Sequence, residues 1–299
     1  MIFYLLLFIF GAIVGSFVNV LSLRYSPERN VFDPRVIGGR SRCPRCGKQL
    51  EARELVPIFS FLFQRGRCRS CRAPISWQYP IVEFLCGVIF VAVPLFLNKF
   101  FGVSASAFFN LAAPKLQYAL AVLWIFVFLT WLLIFLIDLK HYIIPDELNA
   151  TLIFLGVLFV IMLAANTVYF GNFRDSFLRH YNILFAPFEN VVWNHILGAV
   201  VGLVFFGGFS LLTFGRAMGM GDAKLAFPSG LLLGWADIGL AIAIAFIFGG
   251  IAGAALLFKK KKTMRDKVPF APFLVLGFAL TFFFGADIVA GYFALFPLV

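Results

Sequence analysis

Residues 118–138 read YALAVLWIFVFLTWLLIFLID, which is a run of twenty uncharged residues followed by a carboxylate. A helix of this length spans about 30 Å, the hydrocarbon thickness of a bilayer. Because a segment in lipid must pair its backbone polar groups internally, the stretch is predicted to be a transmembrane helix. An ionised Asp138 at membrane depth would be costly, and this cost makes it a candidate functional residue.

Most of the chain has the same apolar character. It has 299 residues, of which 62% are hydrophobic and 13% are charged, whereas a soluble domain carries about 25% charged residues. We therefore predict an all-α multi-pass membrane protein with about eight transmembrane helices. These helices are predicted at residues 2–23, 81–97, 118–137, 148–165, 191–214, 225–236, 238–258 and 270–296.

The distribution of basic residues predicts the orientation. If all eight helices cross, 21 of the 25 Lys and Arg residues lie on one side, and the positive-inside rule makes that side cytoplasmic. Helix 225–236 is short, but it must cross to keep the lysines at 259–262 on the basic side. We expect it to tilt or to thin the bilayer. The net charge of +11 fits an anionic lipid surface and gives no reason to invoke nucleic acid.

The one long polar stretch, residues 24–78, carries two Cys-x-x-Cys pairs. The first motif contains Cys43 and Cys46, and the second contains Cys68 and Cys71. Their spacing predicts a four-thiolate zinc ribbon between the first two transmembrane helices. A closed site of this kind is structural, and its metal would supply folding energy that so small an insert lacks. Two disulfides or redox pairs are the alternative, which a cytoplasmic loop disfavours.

A second carboxylate, Asp222, follows Gly-Met-Gly at residues 219–221. On the predicted topology, Asp138 and Asp222 both lie at cytoplasmic helix ends, and neither was used to set the orientation. Two aspartates held together can share one proton and activate water, so we predict an aspartic protease that cuts near the membrane. The glycines would let a substrate backbone come close. Residues 139–144 are predicted to be an interfacial loop, and Asp237 is excluded because it lies towards the opposite side.

Other polar side chains are interpreted as structural. Asp146 is an acidic residue at a helix N-terminus, and Lys224 is an interfacial anchor that could also steer a carboxylate. Cys86 is predicted to be a packed core thiol, and His195 to be a packed or hydrogen-bonded helix residue. His141 is predicted to be a solvated loop residue.

Several short motifs occur along the chain in a specific order. They are Gly15-Ser-Phe-Val-Asn19 with Arg24, Ser41-Arg-Cys-Pro-Arg-Cys-Gly47, Pro57-Ile-Phe-Ser60, Arg65-Gly-Arg-Cys-Arg-Ser-Cys71, Tyr79-Pro-Ile-Val-Glu83, Asp138 with Ile144-Pro-Asp146, and Gly219-Met-Gly-Asp-Ala-Lys-Leu225. Over nearly its whole length the chain resembles the bacterial type 4 prepilin peptidases, which combine leader peptidase and N-methyltransferase activities.

The resemblance implies that Asp138 and Asp222 are the catalytic aspartates. The substrates would be type IV prepilins or type II secretion pseudopilins, cut at the cytoplasmic face of the prokaryotic inner membrane between a short basic leader and an apolar helix. The new N-terminal residue, commonly phenylalanine, would then be methylated from S-adenosylmethionine. No glycine-rich loop marks the binding site for this donor, so its residues are unknown. Asn19, Arg24 and Glu83 are candidates that could equally anchor helices.

Two other functions fit parts of the pattern. One is another Gly-x-Gly-Asp protease, of the signal-peptide-peptidase or presenilin kind, although these usually have Tyr where Ile137 stands and lack the cysteines. The other is a non-enzymatic membrane scaffold with a zinc module. We divide the chain into a first transmembrane helix at 1–23, a zinc-binding insert at 24–78 and a peptidase domain at 79–299. The individual prepilins, the oligomeric state, the separation of the two aspartates and the role of loop 166–190 are not readable from the sequence.

Overall fold

The computed structural model describes residues 2–102, 113–166, 175–182, 190–215, 218–258 and 268–295. The chain forms two compact units, an N-terminal unit of Met1–Leu129 and a C-terminal unit of Thr130–Val299. The described residues form helices joined by turns, with two isolated β-bridges and no strands. The α-helices are α1 Ile2–Arg24, α2 Pro34–Ile37, α3 Phe59–Phe63, α4 Gln78–Gly102, α5 Ala113–His141, α6 Asp146–Ala164, α7 Val191–Leu212, α8 Met220–Leu233, α9 Trp235–Phe258 and α10 Ala271–Leu295.

Seven of these helices are long and apolar enough to cross a membrane, which confirms the predicted fold class. They are α1, α4, α5, α6, α7, α9 and α10. The remaining apolar helix, α8, has only 14 residues. Its crossing of the bilayer therefore stays a prediction, and the lysines at 259–262 that required it lie outside the described residues.

Two predicted helix boundaries near the aspartates were wrong. Helix α5 continues to His141, so residues 139–141 of the expected loop 139–144 belong to the helix, and the loop begins at Tyr142, which has a φ of 57°. Helix α8 begins at Met220 and ends before Gly234, whose φ of +91° no helix adopts. The predicted helix began only at Leu225 because Gly221, Asp222 and Lys224 lower the apolar content of the first residues of α8.

The N-terminal unit is organised by close packing of α1 against α4. A Cβ added to Gly11 would lie 2.7 Å from the carbonyl oxygen of Cys86, and one added to Gly15 would lie 2.8 Å from the Cα of Glu83. This Gly-x-x-x-Gly spacing lets two backbones approach in a membrane, where packing replaces the hydrophobic effect. Cys86 is fully buried at this contact, as its apolar surroundings predicted.

The C-terminal unit is built around α8. This short helix packs against α6, α7, α9 and α10, and it crosses α7 most closely at Gly198 and Gly230. A Cβ on Gly230 would meet the Gly198 carbonyl oxygen at 2.2 Å. Trp131 of α5, which is fully buried, donates from its indole nitrogen to Ser229 Oγ at 3.2 Å. Because ten of the 14 residues of α8 are buried, packing fixes the position of the helix.

Candidate active site and metal centre

Asp138 lies in the last turn of α5 and is 5% exposed. Its carbonyl oxygen accepts from Tyr142 N at 2.9 Å, which closes the helix. The backbone N–H of Ala271, the first residue of α10, donates to its carboxylate. A helix N-terminus favours negative charge, so α10 holds this carboxylate in place. The sequence contained no signal for this contact, because 133 positions separate the two residues.

Asp222 lies in the first turn of α8 and is 9% exposed. Its carboxylate interacts electrostatically with that of Asp138, so the fold brings both aspartates into one neighbourhood. Among the described residues, no donor makes a hydrogen bond to the Asp222 side chain. Two carboxylates that share a site cannot both ionise easily, and one of them then holds a proton. The pair thus has a base and an acid available.

Residues that follow Asp138 in the chain contact residues next to Asp222. Lys224 Nζ donates to Asp146 Oδ1 at 2.8 Å, with both side chains more than half exposed. A Cβ added to Gly221 would lie 3.5 Å from Ile144 Cδ1, an ordinary van der Waals contact. The described neighbours therefore leave room for a side chain at Gly221. Lys224 was predicted to be an interfacial anchor, but its contact with Asp146 was not predicted. The prediction that His141 is a solvated loop residue was wrong, because it is half-buried and lies in α5.

A second pair of buried carboxylates lies beyond the other end of α8. Asp237, in the first turn of α9, is fully buried and accepts from Ser176 Oγ at 2.7 Å and from Leu178 N at 3.2 Å. Asp175 accepts from Asn194 Nδ2 at 2.8 Å. Its carboxylate also lies 3.4 Å from Nε2 of the buried His195. The predicted topology excluded Asp237 from the active site. No sequence motif marked Asp175, whose donor Asn194 is 19 positions away.

The four cysteines of the N-terminal unit converge on one point. The sulfurs of Cys43, Cys46, Cys68 and Cys71 all lie within 4.8 Å of one another. The Cys43 and Cys71 sulfurs are 3.8 Å apart, and none of the four forms a disulfide. Thiolates about 2.3 Å from a tetrahedral zinc ion would be separated by about 3.8 Å. The cluster can therefore hold a metal ion, and its geometry fits zinc.

The two halves of this cluster have the same backbone. Cys43 N donates to Lys48 O and Gly47 N to Cys43 O, while Cys68 N donates to Ala73 O and Arg72 N to Cys68 O. Gly47 and Arg72, which occupy equivalent positions, both have left-handed φ angles, of 70° and 56°. Only the first half has the glycine that this conformation favours. The repeat places each cysteine pair on a rigid turn.

The thiols also show why a cation suits the cluster. Backbone N–H groups of Cys46 and Arg45 lower the pKa of Cys43 to about 6. At Cys71 the N–H of Ala73 lowers the pKa, but burial and the neighbouring thiols outweigh it and raise the pKa to about 11. One thiolate forms readily and the next is opposed, and a divalent cation would remove that opposition.

The three candidate residues for the methyl donor all make structural contacts. Arg24 donates to the backbone carbonyls of Val36, Gly38, Gly39 and Arg40. Asn19 is fully buried and accepts from Gln78 Nε2 at 2.8 Å. Glu83 accepts from Ile58 N at 2.7 Å. Arg24 and Asn19 thus anchor the unit, and Glu83 fixes a loop of the metal-binding insert.

Two family models match separate parts of the chain. Residues 9–97 match the bacterial peptidase A24 N-terminal domain, and residues 124–254 match the type IV leader peptidase family. The chain is 28% identical to the prepilin leader peptidase/N-methyltransferase of Aeromonas hydrophila, covering 97% of this chain and 94% of the relative. It is 31% identical to the protein of that name from Bacillus subtilis (strain 168), covering 96% of each chain.

A third relative with that name, from Burkholderia pseudomallei (strain K96243), is 31% identical over 93% of this chain and 84% of its own length. No solved structure matches the chain.

Proposed function

The chain belongs to the type IV leader peptidase family, and on this premise we propose that it cleaves prepilin leaders with Asp138 and Asp222 and methylates the new N-terminus. The relatives' names carry both activities. The observation that supports the peptidase assignment is the electrostatic interaction between these two buried carboxylates, one from α5 and one from α8.

In the proposed mechanism the two aspartates share one proton. The deprotonated carboxylate takes a proton from water, which attacks the carbonyl carbon of the scissile peptide. The protonated carboxyl donates a hydrogen bond to the carbonyl oxygen and stabilises the charge that develops there. The hydrogen bond from Ala271 N–H stabilises negative charge on Asp138. We therefore assign Asp138 as the base and Asp222 as the proton-bearing partner.

The substrate is a prepilin or pseudopilin whose apolar helix lies in the membrane and whose basic leader lies in the cytoplasm. A site at the ends of α5 and α8 suits such a peptide, because the scissile bond lies where an apolar helix leaves the bilayer. The positive-inside rule supports placing these helix ends at the cytoplasmic face of the inner membrane. The family assignment disfavours the presenilin-like and scaffold alternatives.

The four cysteines are proposed to hold a structural zinc ion. All four positions of a tetrahedral site are taken by sulfur, so no position is open for water or substrate. The metal would stabilise the insert and take no part in the hydrolysis. Metal analysis of the purified chain tests this assignment. One zinc per chain is expected, and metal-free protein with two disulfides would contradict it.

The experiment that tests the peptidase uses the full chain in liposomes with a prepilin. Mass spectrometry should show loss of the leader, and a methyl group on the new N-terminus when S-adenosylmethionine is added. An Asp138→Ala, Asp222→Ala double variant serves as the blank. Leader removal by this blank at the wild-type rate would reject the proposed pair. Cleavage without methylation would reject only the second activity.

A further inference from the structure

The N-terminal unit contains a cavity of about 920 Å³. The two aspartates of the proposed peptidase site are not among the residues that line it. The cavity lies between the metal-binding insert and the facing sides of α1 and α4, and Glu54, Tyr79 and Glu83 are part of its wall. Cavities that bind small molecules measure about 300–1,000 Å³ and combine apolar walls with a few polar groups. Both properties are present here.

The incomplete hydrogen bonding of the Glu54 carboxylate is evidence that this cavity binds a ligand. Glu54 is 6% exposed, and its Oε2 accepts from Glu51 N at 2.9 Å and lies 3.7 Å from Lys48 Nζ. The Glu51 N–H, and after it the charges of Lys48 and Arg69, lower the pKa of Glu54, so it is ionised at neutral pH. Its other oxygen, Oε1, is buried and has no hydrogen-bond partner among the described residues. A buried carboxylate oxygen without a donor is unfavourable unless a ligand supplies one.

A strained turn lies in the chain between two residues of the wall, Leu55 and Ser60. Ile58 has a φ of 64° and a ψ of −55°, and Phe59 N donates to Pro57 O at 2.6 Å across it. This γ-turn is rare, and a β-branched residue at its centre is strained. The carboxylate of Glu83 holds it through the Ile58 N–H. Such strain persists where the surroundings enforce it and is frequent at ligand clamps.

We propose that this cavity binds S-adenosylmethionine, with the Glu54 carboxylate accepting from the ribose hydroxyls. The inference rests on the methyltransferase half of the proposed function. A carboxylate that binds a ribose hydroxyl recurs in nucleotide sites. The Tyr79 ring provides a face on which adenine can stack, and the Arg42 guanidinium in the wall suits the carboxylate of the methionine moiety.

The transfer itself needs little from the protein beyond positioning. The neutral amine of the new N-terminus forms the N–C bond to the methyl group. The S–C bond breaks with its electron pair on sulfur, and the amine releases a proton to solvent. S-adenosylhomocysteine, the product, has the same ribose and adenine but no methyl group to transfer. It therefore reports binding in the absence of reaction.

The test measures binding of S-adenosylhomocysteine to the purified full chain by calorimetry. Glu54→Gln keeps the shape of the side chain and removes its charge, and it should weaken binding by at least about tenfold. Glu28→Gln is the matched control, because Glu28 is exposed in the same unit and outside the cavity wall. It should bind like the wild type.

A second variant protects the test against loss of folding, because Glu54 also accepts from the Glu51 N–H. Tyr79→Leu should weaken binding with Glu54 intact. Both variants should keep the zinc content and thermal midpoint of the wild type. Wild-type affinity in Glu54→Gln and Tyr79→Leu would overturn the cavity assignment while leaving the methyltransferase in place.

Two further outcomes separate this inference from the proposed function. A wild-type chain that removes leaders but does not bind S-adenosylhomocysteine would overturn the cavity assignment and leave the peptidase in place. A synthetic leader peptide that binds in a Glu54-dependent way without the nucleoside would assign the cavity to substrate and overturn the inference. Nucleoside binding without any leader removal would reject only the peptidase.

Discussion

The two pairs of buried carboxylates associated with α8 differ in how fully they are hydrogen bonded. Asp237 accepts from Ser176 and from the backbone of Leu178, and Asp175 accepts from Asn194. At the other end, Asp138 accepts from the backbone of Ala271, and no described donor reaches Asp222. All four are at most 9% exposed. Burial is therefore common to all four carboxylates, whereas among the described residues Asp237 has a donor on each oxygen and Asp222 has none.

This difference separates a structural role from a chemical one. A carboxylate surrounded by donors fixes the segments that carry those donors, here residues 175–182 against the start of α9. A carboxylate with few donors gains little from its burial and can instead bond to water or substrate. Substitutions should therefore affect stability in one pair and catalysis in the other.

The largest effect is expected from Asp138→Asn or Asp222→Asn. Either change removes one member of the acid–base pair, which contributes roughly 10²–10⁴-fold to such reactions, or about 3–5 kcal/mol of barrier. Leader removal in liposomes should fall by that factor while the thermal midpoint stays at or above that of the wild type. Near-normal cleavage by both single variants would contradict the assignment.

Asp237→Asn should have the opposite profile. The amide group would face donors from Ser176 and Leu178, so the free energy of unfolding should fall by about 1–3 kcal/mol. Thermal unfolding in detergent measures this loss, and cleavage per folded molecule should be unchanged. Ser176→Ala removes one donor and should be milder. A stable Asp237→Asn protein that does not cleave would show that Asp237 takes part in catalysis, and would contradict the structural role assigned to it.

Two glycine substitutions in α8 test positioning at intermediate size. Gly230→Ala should lower stability by about 1–3 kcal/mol, because its Cβ would collide with the backbone of Gly198. Gly221→Ala meets only an ordinary contact with Ile144 and should be tolerated in unfolding measurements. If the substrate backbone passes over Gly221, cleavage by this variant should still fall. Full activity would show that the glycine serves another purpose.

The smallest effect is expected at the ion pair between Lys224 and Asp146. Both side chains are more than half exposed, and surface pairs contribute about 0–1 kcal/mol. Lys224→Met should therefore change the thermal midpoint little and cleavage modestly. A loss of cleavage as large as that of Asp222→Asn would show that Lys224 acts on the substrate or on the aspartates.

Much of the fold was predictable from local patterns. Apolar runs marked seven of the long helices because a bilayer demands length and hydrophobicity within each segment. The four cysteines were predictable as a group because zinc knuckles have short, regular spacing. The prediction was wrong where composition was ambiguous, as at the end of α5, where the polar residues Lys140 and His141 continue the helix. It was also wrong at the start of α8, where Asp222 and Lys224 interrupt the apolar run.

The sequence alone thus determined the membrane character of the chain, its cysteine cluster, its family and the two candidate aspartates. Each of these depends on residue types at short range or on motif order. Only the tertiary structure decided which buried carboxylates find hydrogen-bond donors. Asp138 accepts from the first residue of α10, and Asp237 accepts from Ser176, whereas Glu54 Oε1 has no donor among the described residues. The reason is that hydrogen bonding of a buried group depends on donors from distant segments, which meet it only when the helices pack.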